Sequence, residues 1–226
     1  MWQKIRKIRV GANNYSPLLM IILTAAVSAW IFSGCGGAGS AGITALGPGS
    51  NITGGGTALT MSMLDKGWSL FRIGESSYTD AEYYFNQVIG GTFTDNDKAS
   101  ARAGLGWIEL RRSGASAADK SNFESSLVLD PSNQEAKLGL ALISLAGATG
   151  QAVNYLESIG LWNVNYSFSS SQISMSNAKA HALMALAYYQ AGNLDSSEAQ
   201  IDKARALDGN DLTIEQMDTS LTNLGI

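Results

Sequence analysis

The residues that could carry out chemistry are few in this chain. Among its 226 residues there is one cysteine, Cys35, and one histidine, His181. An internal disulfide or a metal site built from histidine and cysteine ligands is therefore excluded. No serine lies in a GxSxG nucleophile motif, and no Gly-Lys-Ser/Thr follows the glycine-rich stretch. The sequence predicts a protein that is not an enzyme and has no cofactor, with His181 packed on an apolar helix face as a structural residue.

The chemistry that remains is modification of Cys35. Four basic residues stand near the N-terminus, and residues 18–32 form an uncharged apolar run. That run is shorter than the ~20 residues that a membrane-spanning helix needs. A basic start, a short apolar run and small residues before Cys35 are the parts of a secretory signal.

The residues Phe32-Ser33-Gly34-Cys35 resemble the lipobox of bacterial lipoproteins. The resemblance implies that residues 1–34 are a signal peptide and that Cys35 carries covalent lipid of the palmitate type. Two or three acyl chains anchor a protein stably, since each buried CH2 contributes about 0.8 kcal/mol. Gly36 rather than Asp follows, which implies the periplasmic face of the outer membrane in a diderm cell, and otherwise the outer face of the cell membrane. The alternative is an uncleaved signal anchor in which Cys35 is incidental.

Residues 35–56 are expected to form a tether after the lipidated cysteine. The stretch is rich in glycine and has no charged residue, so it cannot bury enough surface to fold. Removing residues 1–34 removes four positive charges and no negative ones, which changes the net charge from −4 to −8. An acidic protein lacks the basic face that nucleic acids require, so nucleic acid is not expected as a partner.

The remaining residues, 57–226, show helical periodicity with recurring breaks. The clearest unit is Asn177–Asn210, in which two helical runs flank Gly192. This unit resembles the tetratricopeptide repeat, with Tyr188, Gly192 and Ala204 at matching positions. Three upstream segments align with it, and all expected helices are 57–73, 78–89, 97–112, 117–129, 133–145, 151–159, 178–191, 194–207 and 211–224. The resemblance implies an all-α solenoid of about four helical hairpins, closed by a C-terminal capping helix.

One surface of such a solenoid is a candidate binding groove. In this family the first helix of each hairpin lines a concave surface. Transferring the pattern places seven side chains in a partner-binding groove: Trp68, Phe71, Arg72, Trp107, Leu110, Arg111 and Tyr189. Trp, Tyr and Arg dominate binding hot spots, and two arginines suit acidic or carboxylate groups. The alternative is that these side chains pack between helices, which is the commoner location of a tryptophan at helical spacing.

Residues 160–176, here called the insertion, interrupt the repeat pattern. Within it Trp162, Tyr166 and Phe168 alternate with polar residues, which favours an extended segment. Exposed aromatic residues would make the insertion a possible binding loop for glycan or peptidoglycan. The alternative is that it folds back and buries its rings.

Together these features predict a membrane-anchored scaffold that binds an envelope protein or peptide. Members of this family serve outer-membrane assembly, pilus or secretion systems and cell-wall complexes. A glycan-binding lipoprotein that uses residues 162–168 is the second hypothesis, and an accessory subunit of an envelope enzyme is the third.

Overall fold

The computed structural model describes residues 61–115, 117–147 and 150–223. Within these ranges the chain is all-α, as expected, with nine α-helices, one short 3-10 turn and no β-strand. In chain order the α-helices are α1 (Met63–Ile73), α2 (Tyr78–Gly90), α3 (Asp95–Ser113), α4 (Ser121–Leu129), α5 (Gln134–Ala146), α6 (Gln151–Ile159), α7 (Asn177–Gln190), α8 (Leu194–Leu207) and α9 (Leu212–Asn223). The 3-10 turn, Glu75–Ser77, lies between α1 and α2.

Side-chain caps determine where many of these helices begin. The side chains of Ser62, Thr94, Asn133 and Ser176 each accept a hydrogen bond from a backbone N–H in the first turn of α1, α3, α5 and α7. At α3 the cap is reciprocal, because the carboxylate of Asp97 also accepts from the backbone N–H of Thr94. Such caps satisfy N–H groups that have no partner within the helix, and each contributes about 1 kcal/mol.

Two helix starts differ from the sequence-based prediction by four residues or more, and the others agree to within two residues. The first helix begins at Met63 rather than near residue 57, because Ser62 has an extended backbone and caps the helix. The helix expected from residue 117 begins at Ser121, because the carboxylate of Asp119 accepts from the backbone N–H of Ser121 and forms a turn there. The expected bounds of α6 and α8 agree with the structure.

Successive helices pair as antiparallel hairpins, α1 with α2, α3 with α4, α5 with α6 and α7 with α8. The order of the contacts shows the direction. Phe71 stacks on Tyr78 beside the first turn, whereas Gly67, earlier in α1, meets Phe85, later in α2. We call α1, α3, α5 and α7 the first helices and their partners the second helices. The first helices α1 and α3 also contact each other, as do α3 and α5.

One packing contact recurs from hairpin to hairpin. The ring of Phe85 in α2 lies against Gly67 of α1 and Gly104 of α3. The ring of Phe123 in α4 lies in the same way against Gly106 of α3 and Gly139 of α5. An added Cβ at any of these four glycines would lie 2.2–2.8 Å from the nearest ring atom. The absence of a side chain there allows an aromatic ring of a second helix to fill the space between two first helices.

The C-terminal helix α9 packs on the last hairpin. It contacts both α7 and α8, and Ile214, Met217 and Leu221 on one side of it are buried. At its start the carboxylate of Asp211 pairs with Lys179 of α7 at 3.2 Å. The helix therefore covers apolar surface of α7 and α8 that would otherwise be in contact with water.

Candidate binding face

Four of the seven predicted groove residues belong to the hydrophobic core. Trp68 and Trp107 are each only 3% exposed, and Phe71 and Leu110 are fully buried. The structure therefore adopts the alternative, packing between helices, for these four side chains. The sequence could not distinguish the two outcomes, because both place the residues on the same side of a first helix.

The tryptophan side chains join one first helix to the next. The indole N–H of Trp68 donates to Ser100 Oγ in α3 at 2.9 Å. The indole N–H of Trp107 in α3 donates to the backbone oxygen of Glu135 in α5 at 3.0 Å. Each indole also meets a phenylalanine ring edge-on, with centroids 5.2 Å apart for Trp68 and Phe85. The polar end of each tryptophan is satisfied within the fold, which is the usual condition for burying one.

The three other predicted groove residues remain accessible to solvent to different degrees. Arg72 is exposed, and its Nη1 donates to the backbone oxygen of Ser171 in the insertion at 3.3 Å. The guanidinium of Arg111 lies over the Phe71 ring, 4.7 Å from its centroid, and is half-buried. Tyr189 is half-buried and packs against the core. Positive charge from α1 and α3 thus lies at the edge of the packed tryptophans.

The three aromatic residues predicted for a binding loop separate into different environments. Trp162 is 63% exposed, Tyr166 is half-buried against the core, and Phe168 is 1% exposed. The extended segment expected from their alternation does not form over residues 161–165, because these residues make turns and a bend closed by bonds such as Asn163 N–H to the Gly160 oxygen. An isolated antiparallel bridge between Ser170 and Met175 is the strand-like feature of the insertion.

The insertion folds back over the first helices. The backbone N–H of Phe168 donates to Asn177 Oδ1 in α7 at 2.8 Å. Ser170 Oγ donates to Glu135 Oε1 in α5 at 2.8 Å. The backbone oxygen of Ser171 accepts a hydrogen bond from Arg72 of α1. The insertion therefore contacts three of the four first helices and covers part of the face that would receive a partner.

The insertion is also held from the α7–α8 hairpin. The side chain of His181 in α7 is fully buried, as expected of a structural histidine. Its Nε2 lies 3.0 Å from the backbone oxygen of Tyr166, and its Nδ1 lies 2.6 Å from Gln200 Oε1 in α8. The amide nitrogen of Gln200 donates to the backbone oxygen of Leu161 at 2.7 Å. The sequence analysis missed Gln200, although a glutamine beside Ile201 on the buried face of α8 is the signal that could have indicated it.

The ionisable groups with shifted pKa values have structural causes. Burial, together with a hydrogen bond to Glu157 and the charge of that residue, raises the pKa of Tyr188 to about 12. Burial by itself would raise the pKa of Asp211, but hydrogen bonds and charge from Lys179 and bonds from Thr213 lower it overall. Among the described residues no group of three or more His, Cys, Asp or Glu side chains could hold a metal ion.

Comparison with known proteins adds no further identification. No protein-family model, curated protein or solved structure matches this chain. In the part of the chain that the structure describes, no helix is long and apolar enough to cross a membrane. The predicted signal peptide (1–34), Cys35 and the tether (35–56) lie outside the described residues.

Proposed function

We propose that this chain is a lipid-anchored helical-repeat protein of the tetratricopeptide type that binds a protein or peptide of the bacterial cell envelope. In this proposal residues 1–34 direct export, Cys35 carries the lipid and residues 35–56 tether the folded part. The α1–α8 hairpins form a short solenoid that α9 caps, and binding takes place on its first helices.

The observation that carries the proposal is the recurring contact of a phenylalanine with two glycines. Phe85 fills the space between Gly67 and Gly104, and Phe123 fills the equivalent space one hairpin later. A contact that recurs at the same place in successive hairpins is what a repeat architecture requires, because each unit buries its apolar face against the next. The tryptophan hydrogen bonds from α1 to α3 and from α3 to α5 recur in the same way.

The chemistry of the first helices suits a partner with carboxylate groups. The exposed guanidinium of Arg72 and the half-buried guanidinium of Arg111 lie on neighbouring first helices. Arginine binds carboxylates through paired N–H donors, and it is enriched among residues that dominate binding energy. An extended peptide or a helix that carries acidic side chains would meet both groups.

The anchoring and the binding can be tested together by crosslinked pull-down from native membranes. Tagged wild-type protein and Cys35→Ser are compared, because the variant lacks only the sulfur that would be acylated. A protein partner recovered with the wild type and lost with Cys35→Ser supports a scaffold placed by its lipid. Recovery of no protein from either form contradicts the scaffold function.

The binding face is tested by Arg72→Ala and Arg111→Ala, with Arg205→Ala as the matched control. Arg205 lies on α8, a second helix, and pairs with Asp202 and Asp218. We expect weaker partner recovery for the first two variants and unchanged recovery for the control. Thermal unfolding separates binding from stability, since Arg72 is exposed and its removal should change stability by less than about 0.5 kcal/mol. Equal recovery with all three variants would place the binding surface elsewhere.

A second function, glycan binding, is favoured by one side chain. Trp162 is 63% exposed at the outer side of the insertion, and exposed indoles stack on sugar rings. Loss of binding to peptidoglycan fragments or polysaccharide after Trp162→Ala, with wild-type stability, would support this function. Phe168 and Tyr166, which pack inward, would then act only by shaping the insertion.

A further inference from the structure

The middle of the insertion lies between two fixed ends. We call residues 169–175 the strap, and Phe168 and Ser176 flank it. Phe168 is 1% exposed, and its backbone N–H donates to Asn177 Oδ1 at 2.8 Å. The side chain of Ser176 caps α7 by accepting from the backbone N–H of Lys179. Neither of these hydrogen bonds involves a strap residue, so the strap can open while its two ends stay in place.

The strap reaches the first helices through two hydrogen bonds. The backbone oxygen of Ser171 accepts from Arg72 Nη1 of α1 at 3.3 Å. The hydroxyl of Ser170 donates to Glu135 Oε1 of α5 at 2.8 Å. Two successive strap residues thus satisfy an arginine and a carboxylate that lie on two different first helices. A bound peptide segment would make contacts of the same kind, with an acceptor for the arginine and a donor for the carboxylate.

The contact with Arg72 leaves much of its binding capacity unused. Arg72 is exposed, and no carboxylate of the described residues forms an ion pair with it. The Ser171 oxygen is neutral, and 3.3 Å is long for an N–H···O hydrogen bond. A carboxylate would accept two parallel N–H bonds from the same guanidinium and would bring an opposite charge. A peptide that carries a carboxylate therefore gains an interaction at Arg72 that the strap does not supply.

The closed strap is also strained. Ser174 has a φ of 55°, and it is the one residue other than glycine with a positive φ in the described part of the chain. This left-handed backbone region is unfavourable for a residue that has a Cβ, and it persists where surrounding contacts hold it. The contacts that hold it are the burial of Ile173, which is 5% exposed, and the bridge between Ser170 and Met175.

We propose that the strap occupies part of the partner's binding site, and that a peptide which offers Arg72 a carboxylate binds there when the strap opens. This role rests on the proposed function, since it concerns what binds the first helices. Because Ser170 and Ser171 are adjacent, the matching partner segment has an acidic residue next to a residue with a hydrogen-bond donor. A closed strap lowers the apparent affinity for the partner by the fraction of molecules in which it is open.

Opening of the strap is measured by thiol labelling of the full chain. Ile173→Cys is combined with Cys35→Ser, so that the introduced thiol is the only one. The matched control is Ile159→Cys in the same background, because Ile159 is 6% exposed but belongs to α6. Relative to each variant unfolded in urea, the first thiol should react at least about a hundredfold faster than the second, because local opening requires less free energy than unfolding of a hairpin. Equal rates would show that the strap opens only with the whole fold and would overturn the proposal.

The strain is tested in the same assay. Adding Ser174→Gly to Ile173→Cys should slow labelling by about two- to fivefold, since glycine adopts the left-handed region freely but loses more entropy when the strap closes. An unchanged or faster rate would contradict a strap that is strained when closed.

Replacement of the strap is tested with peptides of known sequence. In the linker variant, glycine and serine replace residues 169–175, and circular dichroism verifies that the helices are retained; if they are lost, Ile173→Ser takes its place. The probe is a fluorescent peptide with the sequence of residues 167–177. A tethered strap acts at an effective concentration of about 1 mM, so the probe should bind the linker variant with a Kd at or below about 1 mM divided by the closing constant from the labelling. The wild type should bind it more weakly by about that constant. No binding to the linker variant at this concentration would overturn the proposal.

The preference for a carboxylate is tested with a second probe that carries Ser171→Asp. It should bind the linker variant about threefold more tightly than the first probe, as expected for an accessible ion pair. Arg72→Ala in the linker variant should abolish this difference, whereas Arg205→Ala should leave it unchanged. Equal binding of the two probes, or a difference that survives Arg72→Ala, would contradict a carboxylate site at Arg72.

Crosslinked pull-down with the linker variant separates this proposal from the proposed function. Recovery of an envelope protein that is at least about threefold higher than with the wild type supports both. Equal recovery with the two forms supports the proposed function but shows that the strap does not cover the binding site. If the probes bind and neither form recovers a protein, the strap is replaceable and the proposed function is wrong.

Discussion

Replacing Gly139 by alanine tests the packing on which the hairpin stack depends. Gly139 lies in α5, where a Cβ would stand 2.2 Å from Cζ of Phe123 and 2.5 Å from its Cε1. Ordinary van der Waals contact begins at 3.4 Å, so the ring would have to retreat by about 1.2 Å. Retreat is opposed on the other side, because the same ring lies against the glycine backbone of Gly106 in α3.

The expected net effect is a loss of about 2 kcal/mol in the free energy of unfolding. Forcing extra volume into a packed core costs about 1–3 kcal/mol, and a ring confined on both sides belongs at the upper end of that range. Alanine is the better helix former by about 1 kcal/mol, which offsets part of the loss. For a folded part of this size the melting temperature should fall by about 4–8 °C.

The assay is urea and thermal unfolding of the full chain, followed by circular dichroism. Gly90→Ala is the control, because Gly90 is also a helical glycine, the last residue of α2, but a Cβ there meets nothing within 4 Å. It should be neutral or slightly stabilising. Phe123→Leu is then combined with Gly139→Ala, and the smaller side chain should reduce the loss caused by Gly139→Ala by at least about 1 kcal/mol. If Gly139→Ala stabilises the protein as much as Gly90→Ala does, the ring does not occupy this space and the packing argument is wrong.

Three further predictions concern single contacts. The raised pKa of Tyr188, about 12 against about 10 in an unfolded chain, contributes stability that is present below about pH 10 and lost as the pH rises toward 12. Tyr188→Phe should remove this part of the loss of stability, so the urea midpoint of the variant should fall less than that of the wild type between pH 9 and 11. If the two urea midpoints fall in parallel, the Tyr188 phenol has no role in the loss. Ser126→Ala removes a buried hydroxyl that donates to the Ala99 carbonyl of α3 at 2.7 Å, and it should cost about 0.5–1.5 kcal/mol, the net contribution of one hydrogen bond; an unchanged melting temperature would contradict this. Phe168→Ala should cost about 3–5 kcal/mol and Trp162→Ala less than about 0.5 kcal/mol, since the first ring is buried and the second exposed, and equal losses in thermal unfolding would show that the insertion is not folded back.

Helix positions could be predicted closely from the sequence because they depend on neighbouring residues. The run from Leu194 to Leu207 was bounded by Gly192-Asn193 and Asp208-Gly209, and α8 has those limits. The two starts that differ most, just after Ser62 and Asp119, depend on which polar side chain turns back to the backbone. Several candidates were present at each site, and propensity alone does not rank them.

The candidate binding face could be predicted only as a set of residues. Periodicity places Trp68 and Trp107 at equivalent positions of successive first helices, and in the structure both side chains are buried. Whether that side faces a partner or the next helix depends on how closely the hairpins approach. The approach is set by contacts such as Phe85 against Gly104, and helical periodicity does not encode these distances.

By itself, then, the amino-acid sequence determined the all-α class, the limits of most helices and the lack of clustered histidine and cysteine ligands, because these follow from composition and from interactions within a few residues. The tertiary structure decided that the tryptophans are buried, that the insertion covers the first helices, and that His181 meets Gln200 and Tyr166. The physical reason is the separation along the chain between the residues that come into contact. Trp68 finds its hydrogen-bond acceptor on another helix at Ser100, and Gln200 finds its acceptor at Leu161 on the insertion. Partners this far apart along the chain are selected by packing the whole fold.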